Sequence, residues 1–200
     1  MKKIILSILL VVVLIYGCSE STKNESERLV KRSDSLKNVT KLQNFLAQKG
    51  TLIIKDFYKL GKISGLYWTD MKFDAIVFYE PGKEEERVKG LKIEVTELKT
   101  YGEHSEAAFL DLEELESLSK ALQYMTTLKE YWKDKPKEYT EVIFETKGNF
   151  KTGFFKRKDE IQAFASCGYG SEVNCFFKAT DELLGIKNKI DEAITLLKKK

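Results

Sequence analysis

The hydrophobic and polar positions change rhythm several times along the chain. Ile4 to Tyr16 is apolar except for Ser7, a run of 13 residues. Residues 19–28, SESTKNESER, carry no apolar side chain. Such a stretch cannot bury enough surface to offset the entropy of ordering it, so a flexible tether is predicted over 18–28. Leu29, Leu36, Val39, Leu42, Phe45 and Leu46 then recur at near-helical spacing, and Gly50 falls where a helix C-cap would lie. A helix over about 27–48 is predicted. From residue 51 onward, alternating segments rich in β-branched and aromatic residues predict strands. Helical spacing returns twice, over about 111–129 and 180–198. Asp111 and Thr180 stand at the N-cap positions of these helices, and Glu114 three residues after Asp111 completes a capping box.

The strand-rich part contains self-similar blocks. FYKLGKISGLYW (57–68) aligns with FETKGNFKTGFF (144–155), and DAIVFYEPG (74–82) with EIQAFASCG (160–168). FLDLEELESLSKAL (109–122) aligns with FKATDELLGIKNKI (177–190), matching Leu115 to Leu183 and Leu122 to Ile190. Blocks in a fixed order signal repeated architecture. The offset between copies shrinks after Gly82, which predicts an extra strand in the first copy within RVKGLKIEVTEL. The predicted fold class is α+β. Two repeated units of antiparallel strands, each followed by a helix, pack as one domain over 29–200, preceded by the N-terminal helix. The repeats span about 51–129 and 139–198, and KEYWKDKPKEY (129–139), with the breaker Pro136, joins them.

The formal charge is +3, and removal of residues 1–17 would take away Lys2 and Lys3 and leave +1 by the same count. A near-neutral chain without clustered Lys and Arg has no general attraction for nucleic acid, so no nucleic-acid partner is expected. The apolar run of 13 residues is short of the roughly 20 needed to span a bilayer. With Lys2 and Lys3 before it and a small residue at its end, it has the form of a secretory signal.

At the end of that run, Ile15-Tyr16-Gly17-Cys18 resembles the lipobox of bacterial lipoproteins, with the large Tyr16 as its one departure. The resemblance implies cleavage between Gly17 and Cys18 and a diacylglyceryl thioether on Cys18. It also implies membrane anchoring through that lipid and residence in the bacterial cell envelope. A thiolate is the nucleophile such a lipid transfer would alkylate. The other readings are an ordinary cleaved signal peptide with a chance cysteine and a short membrane anchor. The folded part, over about 51–198, is similar to bacterial lipoproteins and secreted proteins with a D-x-[DE]-E-L helix start, here DLEEL at 111–115, and a TKGNF turn, here 146–150. That likeness implies no activity.

With Cys18 assigned to lipid chemistry, Cys167 and Cys175 remain as a pair flanking GYGSEVN. In a hairpin of that loop length they would lie opposite each other on one face. A disulfide would contribute about 2.5 kcal/mol by loop-closure entropy; the alternative is two buried free thiols. His104, the sole histidine, lies in YGEHSE and reads as an exposed turn residue. No metal site, catalytic residue or cofactor site is predicted, since the chain has no CxxC pair, GxSxG, P-loop or dinucleotide fingerprint. Asp111, Glu113, Glu114 and Glu116 complement a helix dipole. Trp68, Tyr131 and Trp132 are candidates either for core packing or for a ligand surface. The functional expectation is a non-enzymatic envelope module that binds a protein, peptide or glycan. The alternatives are an inhibitor or immunity-type lipoprotein and an envelope-polymer hydrolase.

Overall fold

The computed structural model describes residues 39–168, 172–178 and 180–200. The signal segment, Gly17, Cys18 and the tether lie outside the described residues. A short helix, α1 (Lys41–Leu46), comes first. Thr40 is extended, with φ −76° and ψ 160°, and its hydroxyl accepts from the Gln43 N–H, so α1 begins at Lys41. The predicted helix over 27–48 therefore does not run unbroken through Thr40, and its earlier part lies outside the described residues. Gly50 has a left-handed φ of 77° but follows the helix end rather than capping it.

The fold is α+β, with two four-stranded antiparallel sheets and three α-helices among the described residues. The first sheet is a meander of β1 (Ile54–Ser64), β2 (Thr69–Tyr79), β3 (Val88–Lys99) and β4 (Gly102–Asp111). Helix α2 (Leu112–Trp132) follows it. The second meander is β5 (Lys137–Glu145), β6 (Phe150–Lys158), β7 (Glu160–Cys167) and β8 (Val173–Phe177), followed by α3 (Glu182–Lys199).

Each sheet turns one face inward because its buried side chains alternate. Met71, Phe73, Ala75 and Val77 on β2 line up with Leu91, Ile93 and Val95 on β3 and with Phe150, Phe154, Ala163 and Ala165 of the other sheet. Leu115, Leu118 and Leu122 of α2 and Leu183, Ile186 and Ile190 of α3 close the same core. The connectivity crosses over. Helix α3 packs on β1, β2 and β3 of the first sheet as well as on α2. A separate small cluster forms where α1 lies on the outer face of the first sheet and Leu42 meets Ile76 and Phe78.

The number of strands corrects the repeat alignment. RVKGLKIEVTEL is β3, a strand with a positional counterpart in β7, so the first half holds no additional strand. Its strands are longer instead: 11, 11, 12 and 10 residues against 9, 9, 8 and 5. The block at 74–82 lies on β2, whereas its sequence match at 160–168 is β7, one strand beyond the positional counterpart β6. The block at 109–122, which runs from β4 into α2, aligns correctly with the end of β8 and the start of α3.

Candidate functional site

A meander places its first and third turns at the same end of the sheet. The turn of residues 65–68 joins β1 to β2, and Thr100 and Tyr101 join β3 to β4. The two turns lie side by side, and the Leu98 N–H donates to the Trp68 carbonyl at 3.2 Å. Tyr67 and Trp68 both have left-handed backbones, with φ of 58° and 60°. This conformation costs a bulky residue about 1–2 kcal/mol and is normally left to Gly or Asn. The strain buys no burial, since Tyr67 is 71% exposed and Trp68 83%. Leu98 and the fully exposed Tyr101 extend the apolar surface.

The strained turn is braced from behind. The Leu66 N–H donates to the Phe176 carbonyl of β8 at 2.7 Å, and the Gly65 N–H to the Thr69 carbonyl at 2.8 Å. The Thr69 hydroxyl donates to the Leu66 carbonyl at 2.7 Å. Gly65 is required by close packing. A Cβ there would overlap Cys175 Sγ and lie 2.6 Å from Thr69 Oγ1 and 2.8 Å from the Phe176 carbonyl. The second sheet therefore holds the first sheet's turn in place.

On the outer side of these turns, Ser64, Gly65, Trp68, Asp70, Thr96, Leu98 and Glu103 line a shallow groove of about 360 Å³. Most of its polar groups already have partners. Asp70 accepts from Lys62 Nζ at 2.7 Å and from Ser64 Oγ at 2.6 Å, and these bonds hold its carboxyl below the ordinary carboxylate range. Thr96 Oγ1 lies 2.9 Å from Ser105 Oγ. Lys99 pairs with Glu97 at 3.0 Å. Glu103 and Glu106, on opposite faces of β4, have no lysine or arginine partner among the described residues.

A second apolar surface covers the outer face of the second sheet. Tyr139, Phe155 and Phe164 follow one another at ring separations of 6.3 and 6.5 Å. Their backbones are ordinary strand and the rings shield one another, so the hairpin ends are the more distinctive feature.

The sequence candidates are scattered. His104 lies on β4 rather than in a turn, with Nε2 3.9 Å from Glu106 Oε1. Trp132 packs edge-to-face on Phe154, whereas Tyr131 is exposed beneath Lys135 Nζ. Among the described residues no group of three His, Cys, Asp or Glu side chains is placed to hold a metal. The carboxylates at the α2 start are structural. Glu114 Oε2 accepts from the Asp111 N–H at 3.0 Å, and Oε1 from the Gly148 N–H at 3.2 Å. Asp111 accepts from the Lys41 and Leu42 amides at 2.7 and 3.1 Å, which ties α1 to the end of β4.

The disulfide is not present. Cys167 and Cys175 are both free and buried. They share the inner face, but the register sets Cys175 against Ala165 and Cys167 against Val173. That diagonal places their Cα atoms about 7–8 Å apart, beyond the reach of a disulfide. Cys175 Sγ instead lies 3.2 Å from Thr69 Oγ1, whose hydroxyl proton is already given to the Leu66 carbonyl. Burial pushes the Cys167 thiol up to about 12 and raises that of Cys175.

Sequence reasoning passed over Tyr67, Leu98 and Tyr101. The available signal was a turn, SGLYWT, with two consecutive aromatics and only one glycine. Compared with known proteins, the chain matches no family model and no curated relative.

Proposed function

We propose that the chain is a lipid-anchored protein of the bacterial cell envelope whose folded part is a non-enzymatic binding module, with the paired hairpin ends as its contact surface. The observation that carries the binding half is the Tyr67–Trp68 pair: two bulky residues held left-handed, braced from behind and left in solvent. Strain of this kind persists where surrounding structure imposes it, and it clusters at ligand contacts. Trp and Tyr are the residues that dominate binding energy at interfaces.

The anchor half rests on the N-terminal sequence. Lys2, Lys3, the apolar run and Ile15-Tyr16-Gly17-Cys18 support cleavage after Gly17 and a diacylglyceryl group on Cys18. Two acyl chains suffice for stable anchoring. Thr40 enters the fold beside Asp111, at the far end of β4 from Tyr101. Ten strand residues separate those ends, a span of about 30 Å. The two halves are read as copies of one four-strand-plus-helix unit.

Replacing Cys18 with Ser should abolish labelling by a palmitate analogue and release the protein from the membrane fraction. Labelling that persists in Cys18→Ser would refute the anchor.

A further inference from the structure

We infer that the hairpin ends insert into a cleft of a folded partner protein, and that cationic side chains line the rim of that cleft. This rests on the binding-module reading above and specifies its partner.

Three observations choose the partner. The first is shape and stiffness. Tyr67, Trp68, Leu98 and Tyr101 project from two adjoining turns, and the bonds from Leu66 to Phe176 and from Leu98 to Trp68 tie them to two sheets. A projecting, preorganised aromatic group loses little entropy on binding and fits a concave surface. The second is polar bookkeeping. A glycan would need free hydrogen-bonding groups beside the aromatic platform, but Ser64, Asp70, Thr96 and Ser105 are already bonded to one another or to Lys62. The groove beside the platform is of mixed polarity, and with these groups already bonded it offers a glycan few free donors or acceptors. The third is charge. Glu103 borders the tip without a lysine or arginine partner among the described residues, and Glu106 lies further along β4 on its opposite face with His104 as its neighbour. Complementary cations opposite them would steer the encounter. The same carboxylates would be repelled by an anionic bilayer surface.

The experiment places a photo-reactive residue at Tyr101, Tyr124 or Ile143, one at a time, in the full chain in the cells that make it. Adducts are mapped by peptide. The expected result is a protein adduct from position 101 whose linked peptides line an Arg- or Lys-rimmed cleft. Adding Tyr67→Gly and Trp68→Gly should cut that yield by at least about 30-fold. The thermal midpoint of the glycine variant should not fall below that of the parent, because glycine relieves the left-handed strain. Trp68→Asn, which tolerates the same backbone, serves as the second variant should the double glycine chain misfold. With the partner purified, Glu103→Gln plus Glu106→Gln should slow association and flatten its salt dependence.

Adducts at position 101 that map to a glycan, to lipid, or to a flat or acidic protein surface overturn the inference. So does a yield unaffected by the glycine or Asn substitutions. Vesicles of phosphatidylethanolamine and phosphatidylglycerol that bind the Cys18→Ser chain through Trp68 would also overturn it, in favour of a membrane contact. Adducts arising only from Tyr124 or Ile143 reject this site and leave the binding module standing. Adducts from none of the three positions reject both.

Discussion

At the residue scale, the inner faces of β7 and β8 show how burial sets chemistry. Cys167 and Cys175 are enclosed, and the apolar surroundings disfavour their thiolates. The thiolate is the reactive form, so both thiols should be inert in the folded protein. In the Cys18→Ser chain, a thiol-reactive reagent should detect neither cysteine under native conditions and both in denaturant, even after exposure to oxidant. One fast-reacting native thiol, or none after unfolding, would contradict the register. The number and spacing of the cysteines were legible in the sequence, but the two-residue diagonal between them was not, because strand register depends on a partner strand. Asp70 offers a pH test beside the hairpin ends. Its bonds to Lys62 and Ser64 lower its folded pKa. Its contribution is therefore present above the unfolded value of about 3.9 and fades as pH falls through the lower, folded value. Asp70→Asn should lower the thermal midpoint at pH 7, and the gap to the parent should narrow progressively as pH falls below about 3.9. A gap that persists undiminished at low pH would exclude the charge as its source.

At the element scale, the two long helices were legible because their periodicity is local; the cap expected at Asp111 is found there, whereas the one expected at Thr180 falls at Asp181. DLEEL gave the start of α2, and the structure begins it at Leu112. The strands were legible as a class, but their equivalence between halves was not. Strands share one alternating pattern, so a block from β2 fits β7 as readily as its own counterpart β6. The end of α2 shows a device that no sequence pattern marks. Lys156 of β6 is fully buried, and its Nζ donates to the Trp132 and Lys133 carbonyls at 2.8 and 2.9 Å. A helix C-terminus leaves its last carbonyls unbonded and favours a cation there. Lys156→Met keeps the volume and removes the donor to both half-shielded carbonyls. It should lower unfolding free energy by about 1–3 kcal/mol in a denaturant titration. A loss under about 0.5 kcal/mol would mean that water replaces the ammonium group.

At the scale of the whole molecule, the order of elements along the chain differs from the order of packing. Helix α3 follows the second sheet in sequence yet packs on β1, β2 and β3 of the first. Leu183, Ile186 and Ile190 share one core with Phe73, Ile93 and Leu115. The hairpin at 65–68 is likewise held by β8 through the Leu66-to-Phe176 bond. Neither half therefore encloses its own apolar face. A fragment of residues 137–200 would expose Phe150, Phe154 and Ile190 to water, each worth about 1.5–3 kcal/mol when buried. Such losses exceed what a domain of that size has in reserve. Residues 40–200 should unfold in a single cooperative transition. Fragments 40–134 and 137–200 should each lack the near-ultraviolet circular dichroism of fixed aromatic packing, and recover it when mixed. Two separated transitions in the intact protein, or a fragment 137–200 that melts cooperatively alone, would show that the halves are independent despite their shared core. In that case the second sheet would not be the brace that holds Tyr67 and Trp68 in solvent, and the strain at those residues would need a source within the first hairpin.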